Sequence, residues 1–216
     1  MVRRTLVLAA MIIAIGVVGA SAQREEVSKT EYFNALWKAM ESTEGYFPRR
    51  VTVLRDEFGR TVIRERVTQV REYLKLDVFH HTVEKTNRGK KTISSFIKIG
   101  DNHYCKFGPS PWKKSVSSCE PMRLGSRPTP DSEQYWVQEL SGNSAGERHF
   151  GMRQVHKSPN SPKGIEYFIE QRFLVNPKGL LTLIDIKEGT SGQLNAHQVE
   201  RYEYNVSISE IKAPIK

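Results

Sequence analysis

Cysteine is scarce in this chain: two residues, Cys105 and Cys119, in 216. No CxxC spacing occurs, which excludes the thioredoxin-type redox motif, and no Cys/His set has the spacing of a zinc site. HExxH, the helical zinc-protease motif, is missing, as is GxSxG, the turn that presents a hydrolase serine. The histidines, His80, His81, His103, His149, His156 and His197, are scattered. On a strand His80 and His81 point to opposite faces, as do His149 and His156, so each histidine reads as a surface or boundary residue. Gly142-Asn143-Ser144-Ala145-Gly146 joins two strand patterns and makes a better turn than a phosphate cradle. Strand glutamates such as Glu65, Glu166 and Glu170 read as solvated. No catalytic residue, metal ligand or cofactor site is assigned, and the chain is expected not to be an enzyme.

Long apolar runs are equally rare, and the one present stands at the start. Arg3 and Arg4 open the chain, an uncharged run follows from Thr5 to Ser21, and Ala20-Ser21-Ala22 closes it. A basic end, an apolar middle and a small-x-small site are the three parts of a secretory signal peptide. The run is about 17 residues, short of the roughly 20 that cross a bilayer. Cleavage is expected after Ala22, giving residues 1–22 as signal peptide and 23–216 as a single periplasmic or secreted domain. No cysteine stands at that site to carry a lipid anchor. In an oxidising compartment Cys105 and Cys119, with the turn Gly108-Pro109-Ser110-Pro111 between them, are expected to form a disulfide; two free thiols are the alternative.

The formal charge is +9, and loss of Arg3 and Arg4 lowers it to +7. That favours solubility and mild attraction to anionic surfaces, including peripheral contact with a membrane. A nucleic-acid partner is not expected, because basic residues are not massed with aromatics. They alternate with acids, as in Arg64-Glu65-Arg66 and Arg71-Glu72, and read as a solvated sheet face. Arg88-Gly89-Lys90-Lys91 and Lys113-Lys114 fall in turns.

Periodicity predicts one helix and then sheet. Ser28 or Thr30 caps a helix running to about Ser42, with Ser28 and Glu31 at capping-box spacing. Phe33, Leu36, Trp37 and Met40 form its apolar stripe, and Gly45 stops it. From Arg49 the period becomes two: Val51–Leu54, Val62–Gln69, a strand through Leu74, Leu76, Val78 and His80, then Ile93–Ile99, His103–Cys105 and Trp112–Val116. Asn87–Lys90, Gly100–Asn102 and Asn176–Gly179 are turn signals. The stretch 120–132 reads as a surface loop, 132–140 is ambiguous between helix and strand, and 158–164 is turn-rich. Strands follow over 146–156, 165–175 and 180–186, and the last carries Tyr202, Tyr204, Val206 and Ile208 on one face. The expected architecture is mainly β (α+β): a long antiparallel meander curved into a half-barrel, with the N-terminal helix on or near its concave face.

Large side chains assigned to the inward faces are Phe96, Tyr104, Trp112, Tyr135, Trp136, Tyr167, Phe173 and Tyr202. Filled by the helix, they are core; left partly open, they line a pocket for a lipid or other hydrophobe. The candidate ligand-binding residues are Trp37, Phe96, Tyr104, Trp112, Trp136, Tyr167, Phe173 and Tyr202. A filled interior would instead fit an envelope scaffold that binds a protein partner through its outer face or a sheet edge.

The hairpin Ile97-Lys98-Ile99-Gly100-Asp101-Asn102-His103-Tyr104, with Pro111-Trp112-Lys113-Lys114 after it, resembles the "igdkyY…W.k" hairpin of lipoprotein-carrier-like exported half-barrel proteins. That group includes periplasmic lipoprotein chaperones, mycobacterial lipid-carrying lipoproteins and anti-sigma regulators. Tyr202-Glu203-Tyr204-Asn205, followed by Ile211-Lys212-Ala213-Pro214-Ile215, is similar to their closing strand and "i..P" tail. The order of signal peptide, helix, meander and hairpin is similar as well, whereas the lipobox is missing. The resemblance implies a half-barrel that holds acyl chains or a lipidated partner, as carrier or sensor.

Overall fold

Ser28 begins the only helix among the described residues. Its Oγ accepts the backbone N–H of Glu31 at 3.1 Å, satisfying one of the donors that a helix start leaves open. Glu31 adds a negative charge in the first turn, where the helix dipole favours it. The computed structural model describes residues 24–60, 62–115, 119, 129–139, 146–157 and 165–215. The expected signal peptide and most of the loops at 120–132 and 158–164 lie outside the described residues.

Helix α1 (Lys29–Glu44) buries Tyr32, Ala39 and Thr43, with Leu36 half-buried between them. These positions recur at steps of three and four, so the stripe is one helical face. Trp37 does not belong to it: the side chain is 62% exposed, a correction to the expected stripe. At 100° per residue Trp37 stands well round from the Tyr32–Ala39 line, and the smaller Ala39 takes the contact position.

The strands are β1 (Glu25–Glu26), β2 (Arg49–Gly59), β3 (Val62–Lys75), β4 (Val78–Asn87), β5 (Lys90–Ile99) and β6 (Asn102–Phe107). Then come β7 (Lys113–Ser115), β8 (Ser132–Glu139), β9 (Arg148–Lys157), β10 (Glu166–Val175), β11 (Leu181–Thr190) and β12 (Gln193–Tyr204). All pair antiparallel in one curved twelve-stranded sheet that does not close into a barrel. Its order, β1-β8-β9-β10-β11-β12-β2-β3-β4-β5-β6-β7, is two meanders joined where β12 pairs with β2.

Two local expectations are corrected and one open alternative is settled. Leu76 is in the turn between β3 and β4, where the Gly100 N–H reaches the Asp77 carbonyl at 2.9 Å, and is not in a strand. Residues 132–139 are strand, because alternate residues Tyr135 and Val137 pack on the helix-covered core. The last strand ends at Tyr204: Asn205 takes a left-handed φ of 56° and donates to the Pro48 carbonyl, leaving Val206 and Ile208 beyond the sheet.

The core lies between α1 and strands β8 to β11. Phe150 stacks on Phe173 with ring centroids 4.7 Å apart, and Tyr32 meets Phe173 edge-on at 5.2 Å. Ile169, Val175, Leu181 and Ile184 surround them. Each such pair of rings adds about 0.5–1.5 kcal/mol to the area it buries. At the far arm, a disulfide joins Cys105 of β6 to Cys119, with Cα atoms 6.1 Å apart.

Candidate functional site

The register carries the helix-bearing face across the whole sheet. Phe173 pairs with Ile184, Ile184 with Glu200, Glu200 with Val53, Val53 with Gln69 and Gln69 with Val83. The next inner row is Tyr202–Val51–Arg71–His81–Phe96–Cys105. The row after that is Tyr204–Arg49–Tyr73–Phe79. Beyond the last turn of α1, no helix lies over this second half of the face among the described residues.

The last turn of α1 is tied down at the border between the two halves. Arg49 donates to the carbonyls of Thr43, Glu44 and Tyr46 at 2.9, 2.7 and 3.3 Å, supplying partners to a helix end that otherwise lacks them. Its guanidinium also lies 4.2 Å from the Tyr73 ring centroid. Burial pushes the Arg49 pKa down from its ordinary value. Thr43 Oγ1 accepts the Leu181 N–H at 3.0 Å and bonds the Tyr204 hydroxyl at 3.1 Å, and that hydroxyl donates to the Leu181 carbonyl.

Beside this anchor is a recess of about 250 Å³, lined by Met40, Thr43 and Glu44 of the helix and by Arg49, Val51, Arg71, Tyr73, Leu181, Glu200 and Tyr202. Its lining mixes apolar Met40, Val51 and Leu181 with charged Glu44, Arg49, Arg71 and Glu200. The Tyr202 hydroxyl donates to Glu200 at 2.9 Å, and Gln198 donates to the same carboxylate at 2.7 Å. Burial raises the Tyr202 pKa, and the neighbouring Glu200 carboxylate raises it further. Among the described residues Arg71 makes two hydrogen-bonding contacts, with His81 at 3.5 Å and Gln69 at 3.4 Å. Val51, Val53 and Val67 are buried on this face among those long polar neighbours, whose stems cover apolar surface while their heads reach water.

The expected site residues separate into groups. Tyr202 lines the recess. Phe96, 6% exposed, lies on the same face two strands beyond Arg71, packed near His81. Phe173 and Tyr167 are on the helix-covered half: Phe173 is fully buried core, and the Tyr167 hydroxyl donates to Glu188 at 3.2 Å. Trp37 is on the helix flank of Met40 and Glu44, three and seven residues before them, and so stands about one turn from the recess. Trp112 precedes β7 and is half-buried, outside the recess.

Two residues expected on the concave face are on the other. Cys105 shares the face of its partner Phe96, which sends Tyr104 outward. Tyr135 packs inward, so Trp136 faces out, where its ring covers Gly151. A Cβ at Gly151 would sit 2.1 Å from Trp136 Cε2, so only glycine admits this contact. Alternation permits one of Tyr135 and Trp136 inside, and only the apolar rows of neighbouring strands decide which.

Arg49, Arg71 and Glu200 were missed as site residues. Strand charges read as solvated, and Glu72 does face out to Arg50 at 2.8 Å, but Arg71 does not. Arg71 shares the parity of Gln69, Tyr73 and the buried Val67, a placement that the structure assigns.

On the outer face a shallow groove of about 320 Å³ is lined by residues that include Arg24, Glu26, Trp136, Arg153, Glu170 and Arg172. Arg153 is paired with Glu170 at 3.2 Å, and Arg24 lies 5.1 Å over the Trp136 ring. No group of three or more His, Cys, Asp or Glu side chains is placed to hold a metal among the described residues. No described helix is long and apolar enough to cross a membrane.

No family model matches the chain, and no curated protein matches it. Among solved structures, the crystal structure of LprF from Mycobacterium bovis is similar, with 10% sequence identity and a TM-score of 0.42 over 89% of this chain and 100% of that one.

Proposed function

We propose that this chain is an exported binding protein, a carrier or sensor that holds a hydrophobic ligand on the concave face of its half-barrel. The observation that supports it is the uneven cover of one continuous face. Strands β8 to β11 are filled by α1, while β12, β2 and β3 leave a partly apolar recess beside the end of that helix. Ligand sites are concave and combine apolar lining with fixed polar groups, and the recess sets Met40, Val51 and Leu181 among charged and hydroxyl side chains. Its ligand is a lipid, an acyl chain or a lipidated partner. Its role is binding rather than catalysis.

Native mass spectrometry of the full exported protein tests this reading. A non-covalent adduct of lipid mass, lost on denaturation, is expected. An adduct-free spectrum together with failure to take up a fluorescent fatty acid would contradict it. The alternative, an envelope scaffold, draws on the tightly filled core under α1. Capture of one envelope protein that survives moderate salt, with no lipid bound, would favour it.

A further inference from the structure

We infer that the recess takes a single-chain acidic amphiphile, with the acid head on Arg71 and the tail against Met40, Val51 and Leu181. The inference rests on the binding reading above and names its ligand class. Four charged side chains line the recess, and three of them are already committed. Arg49 is held by three backbone carbonyls and stacked on Tyr73. Glu200 accepts from Tyr202 and Gln198. Glu44 sits beside Arg49, whose positive charge it supports.

Arg71 is the exception. Its two contacts, at 3.5 and 3.4 Å, are long and go to an imidazole and an amide. No carboxylate pairs with it among the described residues, although a guanidinium carries five donors in a fork that fits a carboxylate bidentately. A half-buried guanidinium so weakly bonded is costly, and an incoming acid supplies the missing partner.

Size sets the tail. The recess, at about 250 Å³, falls just below the roughly 300–1,000 Å³ typical of pockets for drug-sized ligands. It fits the end of one chain rather than a lipid with several.

The test titrates the full exported protein with cis-parinaric acid and with its methyl ester, which shares the tail but has no anionic head. The acid is expected to bind at least tenfold more tightly. Arg71→Gln should bring the acid down to the affinity of the ester, and Arg71→Lys should keep part of the preference, with circular dichroism showing that both variants fold. Equal binding of acid and ester by the unaltered protein, or a preference that survives Arg71→Gln, would overturn the inference and leave the binding reading standing. Failure of both probes to bind would overturn the two together.

Discussion

The two halves of the inner face solve one problem in different ways. Over β8 to β11 the sheet presents Tyr135, Phe150, Met152, Ile169 and Phe173, and a helix covers them. Over β12, β2 and β3 it presents Val51, Val53 and Val67 separated by Arg55, Gln69, Arg71, Gln198 and Glu200, with the rings of Tyr73, Tyr202 and Tyr204 gathered at the end of the helix. Large rings need a partner layer to leave water, and on that half the helix supplies it. Valines beneath long polar side chains need none, so the second half stays accessible. A single curved sheet thereby combines a helix-covered core with a face that no described helix covers.

Substitutions on the two sides should break this comparison or sharpen it. Phe173→Ala removes a fully buried ring from the stack and should cost about 3–5 kcal/mol in urea unfolding. Val67→Ala, in the other half, should cost roughly 1–2 kcal/mol for the methyl groups lost. A Val67→Ala cost well above about 2 kcal/mol would mean that a cavity term is added and that the second half is packed as tightly as the first. Opening the disulfide with Cys119→Ser should cost roughly 3 kcal/mol by loop entropy, at the arm remote from the helix. Ser28→Ala, at the helix cap, should cost about 1 kcal/mol and loosen only the covered half, read by hydrogen exchange in α1.

The smallest effect is a pH dependence. Lys85 donates to Glu65 at 2.8 Å and, with Asn87, holds that carboxyl below its ordinary 4.5. In the covered half, burial pushes the Glu133 carboxyl up, but bonds from Lys29, Tyr135 and Gln154 outweigh it and the net shift is downward. A carboxyl whose folded pKa is lowered stabilises the fold above 4.5, and the gain disappears as pH falls through the folded value. Glu65→Gln and Glu133→Gln should each flatten the loss of thermal stability below about pH 4.5, with little change in its slope near neutrality.

Much of the architecture was legible in the chain because burial on one face imposes a period. Ser28 and Glu31 marked the helix start, and the alternation in β10 marked both its span and its inner face. The turns at Asn87–Lys90 and Asn176–Gly179 fell where backbone and sequence agree. The site was less legible. Trp37 and Ala39 compete for a place that only the opposing sheet assigns, and Tyr135 and Trp136 are adjacent aromatics of which alternation admits one. Arg71 was hidden by its neighbour Glu72, since an alternating charge pair has the same composition whichever member turns inward. The joining of β12 to β2 is a long-range pairing with no local signal, and it is what brings Glu200 and Tyr202 opposite Val53 and Val51.

The central claim, that the ligand occupies the uncovered half of the inner face, is tested most directly by hydrogen exchange with and without cis-parinaric acid. Protection is expected in β2, β3, β12 and the last turn of α1, with β8 to β10 unchanged. Protection confined to β8 to β10, or spread evenly over the sheet, would contradict the account.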